Sequence, residues 1–196
     1  MSTPKKKRRP LVTKRPARRQ NLQLHARCFH TTARRMAAML QLDPGPFNEV
    51  DAAPVFFLYR HALEIQLKAI VLGDGGNFLP TKPDRISTQQ SRAIVWLAKI
   101  VCQMVTATGL QPAFKCPGIE TLADFKTFVC QLTEVDPAAY TFRLPIDPVE
   151  PTPMAPLIGQ FADQMDSLLE LLDAIAGAIA ATWALQSETP INPTIQ

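Results

Sequence analysis

The stretch Pro54 to Leu72, PVFFLYRHALEIQLKAIVL, sets a dense group of ionisable side chains on an apolar background. At about 100° per residue in a helix, Arg60, Glu64 and Lys68 fall in one polar stripe, with His61 beside them. These residue types could do chemistry together. His61 could move a proton, Arg60 and Lys68 could hold a phosphate, and Glu64 could orient either cation. Arg143, in the segment TFRLP, is a candidate to complete the site. The same residues also have a structural reading, and it carries more weight. Arg60–Glu64 and Glu64–Lys68 are i,i+4 pairs of alternating sign, worth about 0.2–0.5 kcal/mol each on a surface. A stripe buried between helices needs such partners to offset its desolvation.

The helix around the stripe is apolar on two sides. Phe56, Tyr59, Leu63, Leu67, Ile70 and Val71 group together, and Leu58, Ala62, Ile65, Ala69 and Leu72 lie broadly opposite. Such a helix is packed on two sides, so it is expected at the centre of the fold. Asn48 can cap its start, with Pro54 in an early turn, and the run Gly73-Asp74-Gly75-Gly76 ends it. That glycine cluster follows a helix and has no GK[ST], so it does not read as a phosphate loop.

Four further helices follow from apolar spacing and from breakers. Asn21 to Leu42 has Leu22, His25 or Ala26, Phe29, Ala33, Met36 and Met39 or Leu40 near one face, with Arg27, Arg34 and Arg35 open to solvent. Asp43-Pro44-Gly45-Pro46 stops it. His25 and His30 are five apart, which does not place them as a ligand pair on one helix face. Ser87 or Thr88 can cap a helix to about Thr108, with Ile94, Leu97, Val101, Met104 and Val105 inward. Pro112 and Pro117 make residues 111–118 irregular, and Thr121 or an adjacent residue starts a short helix through Leu132. Tyr140 to Pro145 has extended character, and five prolines within 145–156 make a connector. A long helix runs from Leu157 to about Leu185 on Phe161, Met165, Leu168 or Leu169, Leu172, Ile175, Ile179 and Trp183. Its small residues around Gly177 permit close approach of another helix. The expectation is an all-α bundle of about five helices: a disordered basic arm at 1–20, one domain at 21–185 and a frayed tail at 186–196.

Charge is segregated along the chain. Residues 1–35 hold 12 Lys or Arg and no acid, whereas the other 161 residues hold nine Lys or Arg against all 17 Asp and Glu, a net of −8. Arm residues Lys5, Lys6, Lys7, Arg8, Arg9, Lys14, Arg15, Arg18 and Arg19 suit a polyanion such as nucleic acid, bound by counterion release without regard to sequence. A solubilising tail is the plainer use of the same charges. PKKKRRP also looks like a nuclear localisation signal, and RCFHTTARR like the end of a mitochondrial transit peptide, each relevant only in a eukaryotic cell. The four cysteines have no CxxC spacing and do not pair with the three histidines in a zinc pattern. Reduced, buried thiols, a cytoplasmic location, no metal, no cofactor and no membrane span are expected.

FLYRHALEIQLKAIVL, residues 57–72, resembles the long helix of the HEPN superfamily, with an aromatic or His start followed by A-x-E-x-x-L-K-A. The order of LYRHALEIQLK, then DFKTFVCQLTEVDPAAYTFRLPID, then a Leu-rich helix is similar to bacterial proteins with Y-R-H-x-x-E and F-R-x-P segments. The resemblance spans roughly residues 48–182 and implies a small helical bundle. HEPN ribonucleases carry an R-x4–6-H motif. Here Arg60 and His61 are adjacent, and no histidine follows position 61. The leading expectation is therefore a non-catalytic HEPN-like homodimer that binds nucleic acid through its arm. The alternatives are a divergent metal-independent ribonuclease using His61 and Arg60, and a protein-interaction or antitoxin-like scaffold.

Overall fold

The computed structural model describes residues 15–42, 48–74, 94–135 and 158–188, and these residues form an all-helical bundle. Five α-helices follow in order: α1 (Arg15–Leu42), α2 (Asn48–Asp74), α3 (Ile94–Ala107), α4 (Leu122–Val135) and α5 (Ile158–Glu188). The proposed caps Ser87 and Thr88, the proline-rich connector, the Tyr140–Pro145 segment with Arg143, and most of the basic arm lie outside the described residues.

α2 is the central helix, packing against α1, α5 and α3, while α4 packs on α3. Its apolar residues from Val55 to Val71 are almost all buried, including Tyr59, Leu63, Leu67 and Ile70. This is the outcome expected of a helix with two apolar faces. α1 meets it through small residues: Ala26, Ala33 and Ala37 are buried, so the two backbones can come close. Side chains alternate around α1, and Met39 and His25 lie exposed while Leu40 and Ala26 turn inward.

Three boundaries and the burial of two cysteines differ from the sequence expectation: α4 runs to Val135, three residues beyond Leu132, and Cys28 and Cys130 are exposed. α1 begins at Arg15, six residues before Asn21, with Pro16 in its first turn. Proline is tolerated there because a first-turn N–H has no intrahelical acceptor. Residues 15–20 therefore belong to the helix and not to a disordered arm. α5 continues to Glu188, three residues beyond Leu185. By length and composition α5 could also cross a membrane; 33% of its apolar window is buried within this bundle.

Between α3 and α4 the chain makes a 3-10 turn at Gln111–Ala113 and a single bridge between Cys116 and Ile119. Gly118 takes a positive φ of 79° in that bridge turn, a conformation that favours glycine. The segment inserts Phe114 and Ile119 fully into the core. α4 is then started by a reciprocal cap: Asp124 N–H donates to Thr121 Oγ1, and Thr121 N–H donates to Asp124 Oδ2 at 2.8 Å.

Helix directions follow from contact order. Arg27 meets Asp173, Arg34 meets Asp166, and Gln41 approaches Gly159, so α1 and α5 are antiparallel. A Cβ on Gly159 would stand 2.8 Å from Gln41 Nε2, so glycine permits that approach. Phe56 meets Phe161, Tyr59 meets Asp166 and Gln66 meets Asp173, so α2 and α5 run parallel. Contacts recur every seven residues, two helical turns, on all three helices.

Candidate functional site

The α2 stripe is divided by the fold. Arg60 and Glu64 are buried, and Lys68 is partly so. Lys68 donates to Glu64 Oε1, and Arg60 Nη1 lies 3.9 Å from Glu64 Oε2. Arg60 Nε is buried without a hydrogen-bond partner. His61 departs from this group because neighbouring helical residues point about 100° apart. Its ring lies edge-on to Phe29, centroids 4.5 Å apart, and stacks on Phe57 at 5.6 Å. The stripe is thus a three-residue ion chain with His61 turned into an aromatic contact. Arg143, outside the described residues, cannot be placed with them.

A second polar group lies in the seam of α1, α2 and α5. Its hub is Asp166. Tyr59 Oη donates to Asp166 Oδ1 at 2.8 Å, and His30 Nε2 lies 2.7 Å from the same oxygen. Arg34 Nε donates to Oδ2 at 2.7 Å. An ionised carboxylate only accepts, so His30 carries a proton on Nε2, and neutral His30 is the Nε2–H tautomer. Arg34 Nη2 also donates to Glu170 at 2.6 Å. Seven residues away on each helix, Arg27 Nη2 donates to Asp173 at 2.6 Å, and Gln66 Nε2 reaches the same carboxylate at 3.4 Å. The seam therefore has two rungs: Arg34, Tyr59 and Asp166, then Arg27, Gln66 and Asp173.

Burial and the Asp166 carboxylate push the Tyr59 phenol well above its ordinary value. The hydrogen bond to Glu170 raises Arg34 further, against a lowering by burial, and the hydrogen bond to Asp166 and its charge add to the rise. Between the rungs is a cavity of about 180 Å³ lined by side chains that include Arg27, His30, Arg34, Gln66, Glu170 and Asp173. Neither Arg60 nor His61 lines it.

Sequence reasoning placed Arg27 and Arg34 in solvent. They remain 65% and 49% exposed at the side chain, yet both are paired with α5. The available signal was spacing. Arg27, His30 and Arg34 share one face of α1, as Asp166, Glu170 and Asp173 share one face of α5. Among the described residues no group of three or more His, Cys, Asp or Glu is placed to hold a metal ion. Compared with known proteins, the chain matches no family model, no curated protein and no solved structure.

Two outcomes follow from this geometry. Glu64→Ala leaves the buried Arg60 and the neighbouring Lys68 without their anion, and should cost about 3–5 kcal/mol in urea unfolding. His61→Ala removes its contacts with Phe29 and Phe57 but leaves the Arg60–Glu64–Lys68 chain in place, and should cost less; a Glu64→Ala protein within about 1 kcal/mol of wild type would contradict the buried ion chain. For Tyr59, the folded phenol titrates above the unfolded one, so its contribution is complete below pH of about 10 and is lost as pH rises further. Tyr59→Phe should therefore show a shallower fall in stability above that pH. Parallel alkaline limbs for the two proteins would show that Tyr59 is not coupled to folding in this way.

Proposed function

We propose that this chain is a non-catalytic, HEPN-like helical protein that binds nucleic acid through its basic N-terminal segment, and that it acts as a homodimer. The observation that carries the reading is charge segregation: 12 cations and no acid in residues 1–35, against a net of −8 in the rest. Each phosphate neutralised by Lys5 to Arg9, Lys14, Arg15, Arg18 or Arg19 releases counterions, which favours salt-sensitive and sequence-tolerant binding. The acidic body repels the same polymer, so the contacts concentrate at the N-terminal end.

Helix α1 supports this division of labour. Arg27 and Arg34, in its middle turns, are already engaged by Asp173, Asp166 and Glu170 of α5. The cations upstream of them are the ones the reading assigns to phosphate. Because α1 starts at Arg15, the segment before it is tethered to a helix packed on α2 and α5. A ribonuclease built on His61 and Arg60 draws less support. Arg60 is only 6% exposed and faces Glu64, and His61 lies against two phenyl rings. The interaction-scaffold reading rests on Leu24, Met39 and Leu42, which stand exposed on α1; scattered apolar side chains are ordinary on a protein surface.

The experiment is a comparison of full chain, a chain lacking residues 1–14, and a full chain with Arg15, Arg18 and Arg19 changed to Gln. The first change leaves α1 whole. Fluorescence anisotropy with labelled DNA and RNA oligonucleotides should show loss of most low-salt binding on deletion, a smaller loss for the triple variant, and a shallower salt dependence for both. Equal affinity of the deleted and intact chains would overturn the proposal.

A further inference from the structure

The cavity between the two seam rungs has a feature that the nucleic-acid reading does not use: its opposing walls carry opposite charge. α1 supplies Arg27 and Arg34, and α5 supplies Glu170 and Asp173. His30 from α1 and Gln66 from α2 add polar groups between them. Gln66 is 2% exposed, and its recorded contact to Asp173 is long at 3.4 Å. A buried amide facing a cavity with a weak partner is a donor and acceptor available to an occupant.

We propose that this cavity binds a small zwitterion, a molecule of amino-acid size bearing one carboxylate and one ammonium group. The carboxylate would lie on the arginine wall and the ammonium on the Glu170–Asp173 wall. Size is consistent: a cavity of about 150 Å³ can hold a benzene ring, and this one is about 180 Å³. Selectivity comes from the existing pairs. Arg27–Asp173 and Arg34–Glu170 each cross from one wall to the other at 2.6 Å. Both are substantially solvent-exposed, and exposed ion pairs contribute little, so exchanging them costs little.

A ligand with only a carboxylate would draw an arginine from its acid and leave that acid uncompensated. A ligand with only an ammonium would do the reverse. A zwitterion compensates both walls at once. Arg34 is less free to move because Asp166 also holds its Nε. Arg27 has one recorded ion-pair partner and is the guanidinium that turns to the ligand. The inference stands apart from nucleic-acid binding, since it uses the seam and not the arm.

The test is titration calorimetry on the full chain with glycine, L-alanine, β-alanine and γ-aminobutyrate. Acetate and methylammonium at matched ionic strength serve as the two halves. Saturable binding of at least one zwitterion is expected, tighter than either half by about tenfold or more. Arg27→Gln and Asp173→Asn should each weaken that binding by a similar factor while unfolding near the wild-type temperature. Gln66→Leu, which removes the buried amide, should weaken it as well. The proposal is overturned if no zwitterion saturates in the millimolar range, which would leave the cavity to water. It is equally overturned if acetate or methylammonium alone binds as tightly, or if stably folded Arg27→Gln binds like wild type.

Discussion

One carboxylate, Asp166 on α5, joins three helices. It accepts from Tyr59 on α2 and from His30 and Arg34 on α1. Tyr59 is fully buried and Asp166 largely so, which makes the arrangement demanding. Taking a carboxylate out of water costs several kcal/mol unless its lone pairs are met. Three donors meet them, and hydrogen bonds to charged groups contribute about 1.5–3 kcal/mol each. Remove the carboxylate, and a buried phenol and an imidazole lose this acceptor together, while the Arg34 guanidinium is left with Glu170 alone. The seam is therefore specified by polar groups as well as by apolar area.

That seam explains how an acid-free helix sits on the body. α1 carries Arg27, His30 and Arg34 on one face, and α5 carries Asp166, Glu170 and Asp173 facing them. Antiparallel packing with a seven-residue repeat brings like positions together over about two turns, some 10 Å. Apolar packing acts beside it: Ala26, Ala33 and Ala37 let α1 approach α2, while Met165, Leu168 and Leu172 fill the far side. α2 serves both systems, presenting Tyr59 and Gln66 to the seam while Leu63, Leu67 and Ile70 lie in the core.

Much of this was legible in the sequence, and what was not has a physical reason. Apolar spacing of three and four fixed the helices, and Thr121 was among the candidate starts of α4, where the structure places its cap. Burial of Glu64 followed from the apolar faces on either side of it. The Asp166 hub was not legible, because its partners lie 107 to 136 residues away. Taken singly, Arg34 and Asp166 look like solvated surface charges, and only the pairing of α1 with α5 makes them a network. Phe114 and Ile119 were missed for a different reason. They sit among Pro112, Pro117 and Gly118, where no periodic pattern survives to announce a core position. His61 was grouped with Arg60 by adjacency, yet one helical step turned it towards Phe29.

The central claim is that Asp166 binds the three helices as a unit, so its partners do not act independently. A double-mutant cycle of Asp166→Ala and Tyr59→Phe, measured by urea unfolding, tests it most directly. Tyr59→Phe should be costly in the wild-type background and nearly neutral once Asp166 is gone, a coupling of about 1.5–3 kcal/mol. Two losses that simply add, to within about 0.5 kcal/mol, would contradict it and leave the seam held by its apolar contacts alone.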